Sequence, residues 1–216
     1  MGYKTIKRTA QSEFVEKKSV FISTAKRVFT EEEAKAFIDE VRMKYKDARH
    51  HVYAYILGED MSVQRYSDDG EPQGTGGIPI LEVMKRNELR NACVVVTRYF
   101  GGILLGAGGL TRAYVKGAAD AIKESGVVER VPGHEVVMTI DYDLLGKIQY
   151  FLKEKNKRIE SLVYTDKVEL TLYLETMETS SIVESIMNIS SAKAELIIGD
   201  EDLFYKDQEG LQKEFE

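Results

Sequence analysis

The chain has 216 residues, a length that accommodates two domains of ordinary size. Its 43% apolar and 31% charged residues are typical of a globular protein and exclude a disordered chain. Apolar runs are all shorter than the roughly 20 residues of a membrane-spanning helix, and the first residues lack the apolar core of a secretory signal. We therefore expect a cytoplasmic protein with no membrane association.

The charge of the chain is unevenly distributed. The total is −6, but residues 1–131 carry a net charge of +3 and residues 132–216 carry −9. Nucleic-acid binding by the first half is therefore not excluded, because net charge describes the whole chain and not one surface. The single cysteine, Cys93, lies in an apolar run, which indicates a buried hydrophobic residue in a reducing compartment.

The first half alternates strand and helix patterns. Thr30 is the predicted N-cap of the first helix, and Lys17-Lys18 the predicted hairpin turn. The predicted elements are, in chain order, strands within 12–28, a helix over 31–45, a strand over 52–57, a helix over about 75–85, a strand over 91–97, and a helix with an apolar stripe from Leu110 to Ile122.

The second half is predicted to begin where Val131-Pro132-Gly133 breaks the pattern, giving domains 1–131 and 134–216. Its predicted elements are a strand over 135–140, a helix with a stripe from Leu144 to Leu152, a hairpin of 158–164 with 168–174, a helix with Met177, Ile182 and Ile186 inward, and a strand over 194–198. This order predicts a ferredoxin-like βαββαβ domain. The acidic tail from Gly199 follows, with 203–205 expected to dock.

Two glycine-rich clusters, at 67–79 and 98–112, contain nine of the 17 glycines. Glycine is entropically costly, so this density indicates tight turns or the close approach of another molecule. The second cluster follows a strand and opens a helix, so the N–H groups near Gly108 and Gly109 lack intrahelical partners. Residues 97–117 contain no acid. An anion or nucleic-acid site, an active site and purely structural turns all stay open here.

The first cluster places several polar side chains close together: Ser67, Asp68, Asp69, Glu71, Gly74 and Thr75 form this motif loop. Grouped carboxylates are typical of divalent-ion or acid–base sites, but also of turns and helix caps. Just before the strand at 52–57, His50 and His51 would point to opposite faces of the sheet, so one metal ion cannot easily bind both. We predict no metal and no cofactor.

These segments together resemble the IMPACT family, in particular its bacterial YigZ- and YvyE-like branch. The resemblance is carried by ARHH at 48–51, SDDGEPQGTGGIP at 67–79, VTRYFGG at 96–102 and LGAGGLTRAY at 105–114. It implies an α+β protein with a ribosomal-protein-like N-terminal domain, akin to domain IV of elongation factor G, followed by the ferredoxin-like domain. It also implies ribosomal RNA, transfer RNA or a translation-associated protein as the partner.

We therefore predict a translation-linked regulatory or RNA- and ribosome-binding protein without a convincing catalytic site. The alternatives are an enzyme or small-anion or metal-binding protein that uses the motif loop, and a protein-interaction module that uses the acidic second domain. The residues predicted to contact nucleic acid or another anion are Arg49, His50, His51, Arg98, Gly101, Gly102, Gly108, Gly109, Arg112 and Lys116.

Overall fold

A computed structural model describes residues 2–207 and 210–214 of the chain. The chain is a mixed α+β protein, as predicted, and it divides into two compact units. One unit is Tyr3–Val128, and the other runs from Glu129 onward and includes Gly2. Across the described residues, every helix is too short or too polar to cross a membrane.

The N-terminal unit contains six strands and three helices within its described residues, of which two strands were not predicted. Both β1 and β5 are short, and neither contains an apolar run that would reveal it. The elements are β1 Tyr3–Ile6, β2 Ala10–Glu16, β3 Ser19–Arg27, α1 Glu31–Lys44, β4 His50–Leu57, β5 Val63–Ser67, α2 Gly77–Arg86, β6 Ala92–Tyr99 and α3 Ala107–Ser125.

Five of these strands form one antiparallel sheet in the order β2-β3-β6-β4-β5. The central strand β6 is buried on both faces, as its apolar sequence predicts. Cys93 and Val95 pack on the face covered by α1, whereas Val94 and Val96 pack in the core that α2 and α3 cover. The sheet therefore lies between two helical layers.

Local signals in the first half fold as predicted. Lys17 and Lys18 both have positive φ, 45° and 65°, and form the two-residue turn that joins β2 to β3. Thr30 caps α1, because its hydroxyl oxygen accepts a hydrogen bond of 3.1 Å from the backbone N–H of Glu33.

The C-terminal unit has the ferredoxin-like element order. Its antiparallel sheet runs β10-β7-β9-β8, which is the order 4-1-3-2 of a βαββαβ domain, and β11 pairs with the outer edge of β10. The elements are β7 Val127–Ile140, α4 Tyr142–Glu154, β8 Ile159–Tyr164, β9 Val168–Glu175, α5 Thr176–Ile189, β10 Glu195–Asp207 and β11 Gly210–Gln212.

Three details of the second half differ from the prediction. Pro132 and Gly133 do not break the chain, because β7 runs through both. Pro132 lies opposite Leu203 of β10, and β9 pairs with β7 only from Gly133 onward, so the missing N–H of Pro132 costs no bond to β9. Met177 is 97% exposed, since it lies off the helical stripe that Ile182 and Ile186 share. The segment after Gly199 continues β10, where Phe204 is buried.

Candidate functional site

The two glycine-rich clusters meet where β6 ends at Tyr99 and β4 begins at His50. They enclose a pocket of about 350 Å³, which we call the β6–α3 pocket. Its walls come from the motif loop, the end of β6 and the start of α3, and include Glu71, Pro72, Arg98, Phe100, Leu105 and Gly106. Arg49 and His50 line it from β4. The fold therefore brings residues of both clusters into the lining of one pocket.

The floor of this pocket is a buried ion pair. Arg98 Nη1 donates to Glu71 Oε1 at 2.6 Å, and the side chains are only 5% and 4% exposed. Tyr114 donates from its hydroxyl to the same oxygen at 2.8 Å, and Arg98 also donates to the hydroxyl oxygen of Ser19 at 3.3 Å. Arg98 is thus not an accessible cation, although it was grouped with the residues predicted to contact nucleic acid or another anion. Its counterion comes from the other cluster.

Glu71 keeps one oxygen for other contacts. Both hydrogen bonds to its carboxylate end on Oε1, and among the described residues Oε2 has no hydrogen-bond partner. Burial, and then the charge of Glu71, raise the pKa of Tyr114 well above its usual range, so this hydroxyl stays protonated and acts as a donor. Glu71, which lines the pocket, therefore keeps one carboxylate oxygen without a partner among the described residues.

The two aspartates of the motif loop are used to build the loop itself. Asp68 accepts hydrogen bonds from the backbone N–H groups of Gly74, Gly76 and Gly77 at 2.8–3.0 Å. Asp69 accepts from the backbone N–H of His51 at 2.6 Å and from Arg42 at 3.2 Å. These contacts are those of turn and cap residues. Within residues 2–207 and 210–214, no group of three or more His, Cys, Asp or Glu side chains is arranged to hold a metal ion.

The other polar side chains of the loop also bond locally. The Ser67 hydroxyl oxygen accepts from the backbone N–H of Asp69 at 3.1 Å, and the Thr75 hydroxyl donates to the carbonyl of Pro72 at 2.6 Å. Neither hydroxyl has a histidine partner in these contacts. The arrangement stabilises the loop and gives no sign of an activated nucleophile.

The adjacent histidines lie on opposite faces of the sheet, as strand alternation predicts. His50 lines the β6–α3 pocket, and its Nδ1 donates to the carbonyl of Asp69 at 2.8 Å, which leaves Nε2 for another partner. His51 is buried on the α1 face, where its Nε2 donates to the carbonyl of Tyr45 at 3.2 Å. His51 therefore lies away from the pocket, although it was grouped with His50.

His51 makes the stability of this unit depend on pH. Burial lowers the pKa of His51 below its usual 6.5, and a hydrogen bond to Tyr45 and the charge of Asp69 offset only part of this effect. The unfolded chain therefore binds the proton of His51 more readily than the folded chain does. The contribution of His51 to stability is complete above pH 6.5 and is lost as the pH falls towards the lowered folded-state pKa. We expect hydrogen exchange of β6 amides to report lower stability at about pH 5.5 than at about pH 7.5.

His51→Gln should reduce this pH dependence, whereas His134→Gln in the other unit should leave it unchanged. Equal pH dependence in the wild type and in His51→Gln would show that His51 is not its source.

The start of α3 is open. Gly106 is the N-cap with φ of 72° and no side chain caps the helix. A Cβ placed on Gly106 or Gly108 would meet no atom of the described residues within 4 Å, so the N–H groups of the first turn are accessible to a ligand. Gly109 is more crowded, since its Cβ would lie 3.0 Å from that of Leu105. Open N–H groups at a helix start attract anions.

A second cavity adjoins this helix start, and we call it the basic groove. It has a volume of about 220 Å³, and its charged lining residues are Lys17, Arg112 and Lys116 with one acid, Glu16. Lys116 forms an ion pair with Asp120 and lies 4.6 Å from the ring centre of Phe14. Lys17 and Arg112 have no acidic partner within the described part of the chain. Their charges are therefore available to a ligand.

The glycines at the end of β6 have different surroundings. Gly101 lies against the backbone of the β2–β3 turn, and its N–H donates to Ser19 at 3.2 Å. Gly102 has φ of 80° and open space around it. Gly101 is thus required for packing, while Gly102 lies in an exposed turn.

Comparison with known proteins gives a separate family model for each of the two units of the chain. A family model for the Impact N-terminal domain matches residues 17–122, and one for a domain of unknown function, DUF1949, matches residues 138–193. The chain is 41% identical over 199 residues to the IMPACT family member YvyE of Bacillus subtilis (strain 168), with 92% of each protein covered. The chain belongs to the IMPACT family.

Further relatives have the same extent. The chain is 33% identical over 183 residues to the IMPACT family member YigZ of Escherichia coli (strain K12), covering 84% of this chain and 90% of that protein. A crystal structure described as that of a hypothetical protein is 31% identical, with a TM-score of 0.59 and coverage of 91% and 96%. The whole β6–α3 pocket lies inside the segment that matches the Impact N-terminal domain.

Several site residues of this IMPACT-family chain were missed from the sequence. Phe100 and Leu104 are 43% and 82% exposed and form an apolar wall of the pocket. Lys17 joins the basic groove from a distant turn. The apolar residues inside the acid-free run 97–117 could have indicated this wall from the sequence. Nothing in the sequence indicates Lys17, because only the fold brings its turn close to α3.

Proposed function

We propose that this protein is a translation-linked, cytoplasmic RNA-binding protein, and that RNA binds to the N-terminal unit along the β6–α3 pocket and the basic groove. The observation that carries the proposal is the open start of α3 with unpaired Arg112 and Lys17 beside it. The resemblance of this family's N-terminal domain to ribosomal proteins and a translation factor supports RNA as the partner.

Phosphate groups suit the start of α3 for two reasons. The helix dipole is positive there, and the first N–H groups point outward without partners in the helix. Arg49, on the opposite side of the pocket, is exposed and has no acidic partner among the described residues. Together with Arg112 and Lys17 it gives the surface three cations for a polyanion.

Unpaired bases suit the apolar wall. The β6–α3 pocket and the basic groove share Leu105, so they adjoin each other along α3. Phe100 presents a partly exposed ring at this place. A surface that combines cations with an exposed aromatic ring is typical of proteins that bind single-stranded RNA, where phosphates follow the charges and bases stack on the ring.

The motif loop does not favour the enzyme alternative. Its aspartates accept hydrogen bonds from the loop backbone, His51 and Arg42, and Glu71 is paired with Arg98. The acidic C-terminal unit is the surface of the interaction-module alternative, and RNA binding that depends on that unit instead of α3 would favour this alternative.

Removing Arg49 and Arg112 should flatten the salt dependence of RNA binding. We expect the slope of log K against log salt for a single-stranded oligoribonucleotide to fall by about 0.7 for each lost phosphate contact in Arg49→Ala plus Arg112→Ala. Fluorescence anisotropy of a labelled oligonucleotide at several KCl concentrations measures this slope.

The matched control is Arg86→Ala plus Lys123→Ala. It removes the same charge from exposed positions at the far ends of α2 and α3. The control should keep the slope of the wild type. Equal loss in both double variants would mean that only net charge matters, and an unchanged slope in the first would place RNA elsewhere.

A further inference from the structure

We propose that the β6–α3 pocket binds a single guanine base whose 5′ phosphate lies at the start of α3. The inference deepens the proposed function and rests on it, because an unpaired guanosine of RNA is the expected source of the base. A free guanine nucleotide has the same chemistry, and the experiment below separates these two sources.

The pocket has the size and walls of a base site. Its volume of about 350 Å³ lies near the lower end of the usual range of small-ligand pockets. A pocket of this size suits a ligand no larger than one nucleotide unit. Pro72, Phe100 and Leu105 provide apolar surface for the faces of a planar ring. Flipped-out bases are held in this way, between apolar or aromatic side chains with polar groups at one edge.

The polar edge is supplied by Glu71. Its side chain is 4% exposed, and Oε1 already accepts from Arg98 and Tyr114. Glu71 lines the pocket, and its Oε2 has no hydrogen-bond partner among the described residues. Oε2 is not among the fully buried atoms without a partner, so it is open to solvent and can accept a hydrogen bond from a ligand that displaces water. A ligand with N–H groups at this point would donate to the free oxygen of a carboxylate, which makes a charge-assisted hydrogen bond.

Guanine fits this acceptor better than the other bases. It presents two adjacent donors, N1–H and the 2-amino group, on its Watson–Crick edge. Adenine and cytosine place a ring-nitrogen acceptor beside their amino group, and uracil flanks its single N–H with carbonyls, so each of them would bring lone pairs against the carboxylate. A site built to accept hydrogen bonds discriminates against ligands that lack the donors.

The phosphate position follows from the same cavity. Gly106 and Ala107, the N-cap and first residue of α3, line the pocket that Glu71 closes from the other side. The open N–H groups of the first turn therefore lie within the reach of one nucleotide. Arg49 lines the pocket as well, and its side chain has no acidic partner in the described residues. The ion pair Glu71–Arg98 is neutral as a whole, so the pocket favours an anionic ligand.

Titration of the wild-type protein with nucleoside monophosphates tests the proposal. We expect GMP to bind about 10-fold more tightly than AMP, CMP or UMP. Inosine monophosphate lacks the 2-amino group and should bind less tightly than GMP, and ribose 5-phosphate, which lacks a base, should bind least. NMR shifts of the Ala107 and Gly108 amides should accompany binding of GMP. Equal affinity for all six ligands would overturn the base site.

Two variants locate the effect. Glu71→Gln replaces the acceptor Oε2 by an amide donor, so the preference for GMP over AMP should disappear. Because this change also leaves Arg98 without a counterion, Leu104→Ala provides a second test at a wall position that is 82% exposed. It should weaken GMP binding by about 3-fold or more without unfolding the chain. GMP binding unchanged in both folded variants would overturn the proposal.

An RNA arm separates the two proposals. An oligouridine with one central guanosine should bind more tightly than the same strand with adenosine or inosine at that position. If all strands bind equally and GMP shows no preference, RNA binding stands and the guanine site is wrong. If GMP binds selectively but no strand binds, the site holds a free nucleotide and the RNA-binding proposal is wrong. If neither binds, both fall.

Discussion

Replacing Glu71 by alanine should lower the free energy of unfolding of the N-terminal unit by about 3–5 kcal/mol. The change leaves the Arg98 guanidinium, whose side chain is 5% exposed, without its counterion, and it removes the acceptor of the Tyr114 hydroxyl. Because both members of the ion pair are almost completely buried, water cannot replace the lost carboxylate at little cost. Hydrogen exchange of the amides of β6, which carries Arg98, measures this loss in the complete chain.

The compensating control is the double variant Glu71→Leu plus Arg98→Met. It removes both charges and keeps apolar volume in the floor of the pocket, so we expect it to recover most of the stability that Glu71→Ala loses. Recovery will be incomplete, because the Tyr114 and Ser19 hydroxyls lose their charged partners. If Glu71→Ala lowers the free energy of unfolding by less than about 1 kcal/mol, the Glu71–Arg98 pair is screened by solvent like an ion pair on the protein surface.

The Glu71–Arg98 ion pair is a feature of the site that the sequence alone could not predict. The acid-free stretch from 97 to 117 and the glycines at its helix start led to the prediction of an anion site that includes Arg112. They could not show that Glu71, 27 positions before Arg98, neutralises that arginine. Such pairing depends on the crossing of the motif loop over the end of β6, which is a long-range contact with no periodic signal. Lys17 was missed for the same reason.

Features that depend on neighbouring residues were predicted well. The opposite orientation of His50 and His51 follows from strand alternation alone, and Thr30 caps α1 through a residue three positions away. The ferredoxin-like order was read from helical and strand periods within the second half. Pro132 misled the prediction, because a proline can lie within a strand where one of its two neighbours does not pair with it, as β9 does not here.

Gly101→Ala should be the second strongly destabilising change. A methyl group there would overlap the backbone of Lys18 and Ser19, and backbone atoms cannot move aside as the end of a flexible side chain does. We expect a loss of about 3 kcal/mol in the free energy of unfolding of the N-terminal unit. The displaced turn carries Ser19, which accepts from both Gly101 and Arg98, so the floor of the pocket should be disturbed as well.

Gly108→Ala is the matched control, and the pair separates two explanations of one glycine-rich segment. A Cβ on Gly108 meets no described atom within 4 Å, and alanine is the better helix former, so stability should be unchanged or rise by up to about 1 kcal/mol. If the glycine density of 98–112 served only packing, this change would leave RNA binding unchanged. If a phosphate approaches the first turn of α3, the methyl group stands in its way, and Gly108→Ala should weaken RNA binding in a protein that is at least as stable as the wild type. Position 101 would then require glycine because the neighbouring backbone leaves no room for a side chain, and position 108 because the ligand does.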